Sequence, residues 1–380
     1  MMIPLCVPSL DGNEARYLQE CIESTFVSSV GPFVDRAEAL SAKAAGSRLG
    51  VATSSGTTAL HLALMSVGVE RDDLVILPSY TFIASANAIS HAGAIPWLMD
   101  VNADSWTLDP RLLAESLERE TRRDGDRLIH TASGRRVSAV MPVHTLGHPA
   151  DMDSIVEAAR AFGLKVVADG AAALGSTYKG RPMGQWGADL STVSFNGNKT
   201  VTAGGGGMVL GDDEAVMALA RHISTTARVG ADYTHDRVGY NYRLTNIQAA
   251  VGCAQLERLD QLVAAKRRIR DSYDAALTGL PGVSLFPRVD WAEGAAWFSG
   301  ILLSDAEAVT TARGKLREAE IDARPFWKPV HLQPPYAEAP QTHMRVADSL
   351  WGRVLTLPCS TNLTSADQDR VITVLQEILR

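Results

Sequence analysis

The sequence predicts an α/β protein: a large unit with a mostly parallel sheet sandwiched by helices, then a smaller C-terminal α/β unit. Three observations carry this. Short apolar runs bounded by turn residues alternate with helical patterns through the first two hundred residues. An acidic residue, Asp169, closes one such run, and in open α/β sheets ligands gather at that end of the strands. Past Gly279 the elements become fewer and more mixed, and 380 residues are enough for two lobes.

In order, residues 1–12 read as an extended arm with Pro4 and Pro8. A helix is expected over 14–26, ended by Gly31-Pro32, and a short one over 36–45. Residues 49–53 form a strand, and Ser54-Ser-Gly-Thr-Thr58 turns into a helix over 59–67 closed by Gly68. Strand 74–77, helix 81–92 and strand 95–98 follow. The charged stretch 121–137 reads as a surface hairpin insertion. Then come strand 138–143, helix 151–162 and strand 164–168 delivering Asp169; residues 188–195 lead into the loop that carries Lys199, and 208–210 return as a strand. One long helix is expected over 246–273, then a strand over 296–303, a helix over 310–319 and a final helix over 365–379. The boundary falls near residue 258, dividing the chain into 1–258 and 259–380.

Composition excludes several classes. The chain is 46% hydrophobic and 21% charged, as ordinary globular proteins are. A net charge of −7 argues against a nucleic-acid scaffold, which would carry a basic face. Cys6, Cys21, Cys253 and Cys359 are scattered with no CxxC pair, which suits a reduced, cytoplasmic protein. The N-terminus has no basic stretch followed by an apolar run, so no secretory signal is expected. The most apolar region, 74–99, is interrupted by Pro78, Asn87, His91 and Pro96 and is too broken to span a membrane.

Three sites point to chemistry. The hydroxyl-rich turn at Gly56, Thr57 and Thr58 opens a helix, and a helix N-terminus offers N–H groups and a positive dipole end to a phosphate; an ordinary N-cap looks the same. Asp169, at a strand end, could hold a cofactor's ring nitrogen, or be a cap or an ion pair. Lys199 lies between Ser194 and four consecutive glycines, Gly204 to Gly207, whose backbone can approach a ligand closely. An amine so placed is a candidate Schiff-base lysine. Phosphate loop, strand-end acid and lysine follow the order expected of a pyridoxal 5'-phosphate enzyme of fold type I. Phe82 is the candidate to cover the cofactor ring.

The segments SSGTTALHLAL (54–64), PSYTFIASANAI (78–89), VVADGAAALGSTYKG (166–180), SFNGNKTVTAGGGGM (194–208) and GYNYRLTNIQAAVGCAQLERLD (239–260) resemble those of the DegT/DnrJ/EryC1/StrS family of nucleotide-sugar aminotransferases. IDARPFWKPVH (321–331) and LPCSTNLT (357–364) extend the resemblance over nearly the whole chain. Within the family it looks most like the C4 aminotransferases of the legionaminic acid and bacillosamine pathways. The resemblance implies Lys199 and Asp169 as catalytic residues, with Thr57, Thr58 and Ser194 as phosphate ligands. It implies that Asn241 reaches the phosphate of a neighbouring subunit, hence a homodimer with shared active sites. It places Arg324, Lys328 and His331 near the sugar nucleotide. The implied reaction moves an amino group from L-glutamate to C4 of a UDP-linked 4-keto-6-deoxy-N-acetylhexosamine, for bacterial surface glycans. Alternatives are a GDP- or dTDP-linked sugar, amination at C3, or a catalytically idle protein that binds the cofactor and regulates. A dehydratase of the same fold would carry histidine in place of Lys199. One departure bears on the substrate. The family's usual Glu, Gln or His three residues after the aspartate is Ala172 here, and Ala168 and Gly170 replace commoner neighbours.

Other motifs fail on spacing. Gly197-Asn-Lys-Thr200 lacks the glycines a P-loop needs. His144 and His148 have zinc-helix spacing, but Gly147 and Pro149 oppose a helix and no Glu follows His144. No metal is expected.

Overall fold

Alternation of strand and helix becomes a single large sheet in the structure, a computed structural model that describes residues 2–379. The chain opens with α1 (Glu14–Ser24), α2 (Pro32–Ala45), β1 (Leu49–Thr53), α3 (Gly56–Ser66), β2 (Leu74–Pro78), α4 (Ile83–His91), β3 (Ile95–Met99) and α5 (Pro110–Glu120). The hairpin β4 (Thr121–Asp124) and β5 (Arg127–His130) leads to β6 (Arg136–Val140), α6 (Met152–Ala161) and β7 (Lys165–Asp169). Two-residue strands β8 (Thr177–Tyr178) and β9 (Arg181–Pro182) precede β10 (Leu190–Ser194), β11 (Gly207–Gly211) and α7 (Glu214–Ser224). The sheet order is β1-β11-β10-β7-β6-β2-β3. Pairings are parallel from β10 through β7, β6 and β2 to β3, and antiparallel on both sides of β11.

The strands are buried on both faces because helices cover both. Every residue of β2 is buried. Leu74 and Ile76 join a core with Leu113 and Ile155 of α5 and α6, whereas Val75 and Leu77 join one with Leu60 and Ala86 of α3 and α4. That is the two-residue period of a strand between two helical layers.

The remaining elements are a small hairpin, β12 (Arg228–Val229) and β13 (Thr234–His235), then α8 (Asn246–Leu256), α9 (Leu259–Leu277), β14 (Ser284–Leu285), β15 (Ala292–Glu293) and β16 (Ser299–Leu302). Last come α10 (Ala306–Glu318), β17 (Arg324–Pro325), α11 (Arg345–Leu350), β18 (Val354–Leu357) and α12 (Ser365–Ile378). Strands β14-β16-β18-β17 form a second, antiparallel sheet.

The structure departs from the expected elements at several places, and α5, α11 and β18 were not expected at all. The single helix expected over 246–273 is broken at Glu257–Arg258, where Arg258 takes φ −108° and ψ 8°. Glu257 is drawn toward α1 and α2, accepting from Tyr17 Oη at 2.9 Å and pairing with Arg36. α8 packs on α1 and α2, while α9 packs on β16 and α12, and the break lets each serve its own layer. Pro32 starts α2 instead of ending the preceding region, since its fixed φ suits the first helical position. The expected surface hairpin also extends the sheet, because β5 pairs with β6 and buries Leu128 and Ile129. Helix α7, absent from the sequence reading, covers the sheet beside α3 with Met217, Ala220 and Ile223.

The N-terminal arm is laced to the end of the chain. Ile3 N–H donates to Glu320 O at 2.8 Å, Asp322 N–H to Ile3 O at 2.9 Å, and Cys359 N–H to Leu5 O at 2.8 Å. Among the described residues no helix is long and apolar enough to cross a membrane.

Candidate active site

The carboxyl ends of the parallel strands open on a cavity of about 490 Å³. Gly56, Thr57, Phe82, Asp169, Ser194, Lys199 and Arg324 all line it.

At one end stands the N-terminus of α3. Ser55 Oγ accepts from Thr58 N–H at 3.1 Å while Thr58 Oγ1 accepts from Ser55 N–H at 3.0 Å, a reciprocal cap. The N–H groups of Gly56 and Thr57 have no acceptor inside the helix. Thr58, expected among the phosphate ligands, spends its hydroxyl on the cap and does not line the cavity. The helix end meets the sheet at Ser194, which pairs with Gly207 across to β11. A Cβ on Gly56 would stand 2.8 Å from Ser194 Cβ, so only glycine allows this approach.

Asp169, at the tip of β7, is 5% exposed. Its Oδ2 accepts from Ser85 Oγ at 2.7 Å and its Oδ1 from Ala171 N–H at 3.0 Å. Burial raises its pKa, and the two donors together with Lys199 pull the other way. Ser85, on the first turn of α4, is tied to Thr81 Oγ1 at 2.9 Å. Neither residue was singled out from the sequence, where a helical serine carries no signal.

Lys199 follows β10 in a turn closed by Lys199 N–H to Asn196 O at 3.0 Å and Ala203 N–H to Phe195 O at 2.9 Å. Gly206 takes φ +107°, a region that favours glycine, and lies against Leu244. Lys199 Nζ sits 3.4 Å from the centroid of the Trp297 ring. It makes no hydrogen bond or ion pair with a protein group among the described residues. Burial lowers its pKa from 10.5 to about 8, with Asp169 and Cys6 opposing. Trp297 is itself anchored, donating Nε1–H to Asn198 O at 2.7 Å. It comes from the entry to β16, nearly a hundred residues beyond the lysine, and was read from the sequence only as part of a strand.

Phe82 caps α4 and is 54% exposed, an aromatic ring open to the cavity rather than packed in the core. His144 lines the cavity with its Nδ1 accepting from Ala150 N–H at 3.1 Å; burial pushes its pKa down to about 3 and keeps it neutral. Ala172 also lines the cavity, leaving open the space a longer side chain would occupy.

Of the three residues expected near the sugar nucleotide, only Arg324 lines the cavity, and it pairs with Asp322 at 2.9 Å. Lys328 is exposed and lies outside it. His331 is tied on both nitrogens, to Ser79 Oγ at 2.6 Å and Asp348 Oδ1 at 2.9 Å, and fastens the loop after β2 to α11. Asn241 is exposed and does not line the cavity of its own chain.

Comparison with known proteins adds the following. The profile of the DegT/DnrJ/EryC1/StrS aminotransferase family matches residues 8–376. The GDP-perosamine synthase of Caulobacter vibrioides is 38% identical, over 99% of this chain and 98% of its own. That of Escherichia coli O157:H7 is 37% identical, over 99% and 97%. The structure of DesV from S. venezuelae superposes with a TM-score of 0.89 at 30% identity, covering 100% of this chain and 99% of that one.

Proposed function

Because the chain belongs to the DegT/DnrJ/EryC1/StrS aminotransferase family and is a pyridoxal-phosphate-dependent sugar aminotransferase, we propose that it moves the amino group of L-glutamate onto the keto carbon of a nucleotide-linked sugar, with Lys199 and Asp169 as its catalytic residues. The observation that carries this reading is one cavity holding a buried carboxylate, Asp169, and a lysine amine, Lys199, that has no hydrogen-bond or ion-pair partner among the described residues.

The residues present fit the cofactor. The unpaired N–H groups of Gly56 and Thr57 and the Ser194 hydroxyl suit its phosphate. Asp169 suits its ring nitrogen, and the exposed Phe82 ring suits its face. When bound, pyridoxal phosphate supplies an electron sink for the substrate carbon that loses a proton. Ser85 and Ala171 aim their donors at Asp169 and so favour its ionised form, the form that can keep a ring nitrogen protonated. Lys199 takes the proton from the amino acid's α-carbon and returns it to the product. Burial holds its pKa below the ordinary lysine range, at about 8, which favours the neutral amine a base needs. Trp297 keeps the Nζ against an apolar ring.

For the substrate, relatives matched over nearly their whole length are GDP-perosamine synthases, which makes a GDP-linked keto-sugar the first to test. The UDP-linked 4-keto-6-deoxy-N-acetylhexosamine is the second reading, supported by the resemblance of ECIESTFVSSVG (20–31) and RPFWK (324–328) to segments of the legionaminic acid and bacillosamine pathway aminotransferases. We assign Arg324 to the sugar nucleotide and leave Lys328, His331 and Thr58 out of the site. Asn241, exposed and outside its own cavity, serves a partner's cavity in a homodimer, and the two units of the chain divide at the break between α8 and α9.

The test is to load the protein with pyridoxal phosphate, add L-glutamate, and supply GDP-, UDP- and dTDP-linked keto-sugars from coupled dehydratases. Glutamate should change the visible absorbance of the bound cofactor, and one sugar should gain the mass of an amine for a ketone. No glutamate-dependent change would sink the reading. Lys199→Ala should lose turnover; retained activity would remove Lys199 from its role.

A further inference from the structure

Beside the lysine loop, outside the groups that serve transamination, three side chains meet where the N-terminal arm is laced to the end of the chain: Cys6, Lys266 and Cys359. Lys266, on α9, is 1% exposed. Its Nζ donates to the carbonyl oxygens of Cys359 at 2.6 Å and Trp297 at 3.0 Å, and lies 3.4 Å from Cys6 Sγ and 3.6 Å from Cys359 Sγ. Among the described residues it forms no ion pair with a carboxylate. A buried ammonium is costly unless an anion faces it, and the groups in contact with it that can become anionic are the two thiols.

The two sulfurs are not equivalent. Cys6 lies on the arm and is partly buried; Cys359 is fully buried. A hydrogen bond from Cys359, then the Lys266 charge, draw the Cys6 pKa down to about 6 against the opposing effect of burial, while burial pushes Cys359 well above the usual thiol range. Cys6 is therefore the sulfur that ionises more readily, beside the Lys266 ammonium, while the Cys359 thiol donates to Trp297 O at 3.7 Å. The backbones on either side are clamped, Cys359 N–H to Leu5 O at 2.8 Å and Val7 N–H to Ser360 Oγ at 3.0 Å.

We infer that Cys6 and Cys359 form a peroxide-sensitive thiol pair, in which Cys6 is oxidised first and Cys359 then closes a disulfide between the arm and the strand-end loop after β18. The Cys6 thiolate attacks one oxygen of hydrogen peroxide. The O–O bond breaks, two electrons pass from sulfur to peroxide, and Cys6 sulfenic acid and hydroxide result. The Cys359 thiol then attacks the Cys6 sulfur. The S–S bond forms as the S–O bond breaks, and the leaving hydroxyl with the thiol proton departs as water. In sum one thiolate, one thiol and one peroxide give one disulfide, one hydroxide and one water.

The pair is coupled to the lysine loop. In its thiol form Cys6 donates from Sγ to Asn198 O at 3.5 Å, the same carbonyl that accepts from Trp297 Nε1. Trp297 in turn lies under Lys199 Nζ. Oxidation also removes the negative charge that faces Lys266 and helps hold the Lys199 proton.

The test treats the holoenzyme with hydrogen peroxide, blocks remaining thiols, and maps peptides without reductant. The expected result is a joined pair of peptides carrying Cys6 and Cys359, two hydrogens lighter than the separate peptides and released by dithiothreitol. In Cys359→Ser, Cys6 should accumulate as a sulfenic acid trapped by dimedone. In Cys6→Ser, the joined peptide should vanish and loss of free thiol should slow by about tenfold or more. If Cys359→Ser does not fold, the wild-type map and Cys6→Ser, a change on the arm, still decide. Oxidation at Cys21 or Cys253 instead, or Cys6 passing to sulfonic acid with no cross-link, would overturn the inference.

Discussion

Replacing Lys199 by methionine in the cofactor-free protein should make it more stable at neutral pH, an unusual outcome for a residue at the centre of a site. The ammonium lies against Trp297 with no hydrogen-bonding partner among the described residues, and burial lowers its pKa from 10.5 to about 8. The folded state therefore holds this proton less tightly than the unfolded chain does. Below pH 8 both states carry it, and the folded state bears the full penalty. Between pH 8 and 10.5 the folded state releases the proton while the unfolded chain keeps it, so stability rises with pH; above 10.5 the penalty is gone. At about 1.4 kcal/mol per pKa unit, the penalty at pH 7 is about 3 kcal/mol. This is a ceiling, because Lys199 lines a cavity and is only partly buried as a residue. The attractions of Asp169 and Cys6 are already contained in the shift. Methionine has similar length and no charge. Urea unfolding of both proteins from pH 7 to 11 gives the comparison, taken as a difference so that other titrating groups cancel. The gap should approach about 3 kcal/mol at pH 7 and close by pH 10.5. A gap of zero at pH 7, or one that does not close, would refute the account of a desolvated, unpartnered amine.

Gly56→Ala should weaken pyridoxal phosphate binding by about tenfold or more, since the new Cβ meets Ser194 Cβ at 2.8 Å and forces the two phosphate-facing elements apart; titration of the cofactor reads this. Ser85→Ala should leave one Asp169 oxygen without its donor, at a cost of roughly 1.5–3 kcal/mol in cofactor affinity, and an unchanged dissociation constant would free Asp169 from that dependence. His331→Ala should lower stability by about 1 kcal/mol yet leave the KM for the sugar nucleotide within about twofold, because both ring nitrogens are used within the protein; a large rise in KM would return His331 to the substrate. Ala172→Gln, which refills space on the cavity wall, should change the preference among GDP-, UDP- and dTDP-sugars more than it changes the glutamate half-reaction.

Much of the fold and the centre of the site were legible because they are local. An apolar run ended by a carboxylate marks Asp169, and a lysine among small residues and glycines marks Lys199. What escaped depends on distance or on ambiguity of residue type. Trp297 reaches Lys199 from nearly a hundred residues further along the chain, and no nearby pattern announces it. Thr58 has the same hydroxyl whether it closes a cap or binds an anion, and only the geometry to Ser55 separates the two. The α8–α9 break has no Gly or Pro to mark it, since it follows from packing two halves on different layers. His331 and Lys328 share a segment with Arg324, yet the 3-10 turn over Val330–Leu332 carries His331 away to Ser79 and Asp348.

The lacing of the arm has a consequence for how the protein is made. Ile3, Leu5 and Val7 leave the ribosome more than three hundred residues ahead of their partners Glu320, Asp322, Cys359 and Ser360. Leu5 is part of the cavity wall. The main sheet can assemble during synthesis, but the wall cannot close until residue 360 has cleared the exit tunnel. A nascent chain, or one cut before residue 360, thus keeps its cleft open with the arm unmoored.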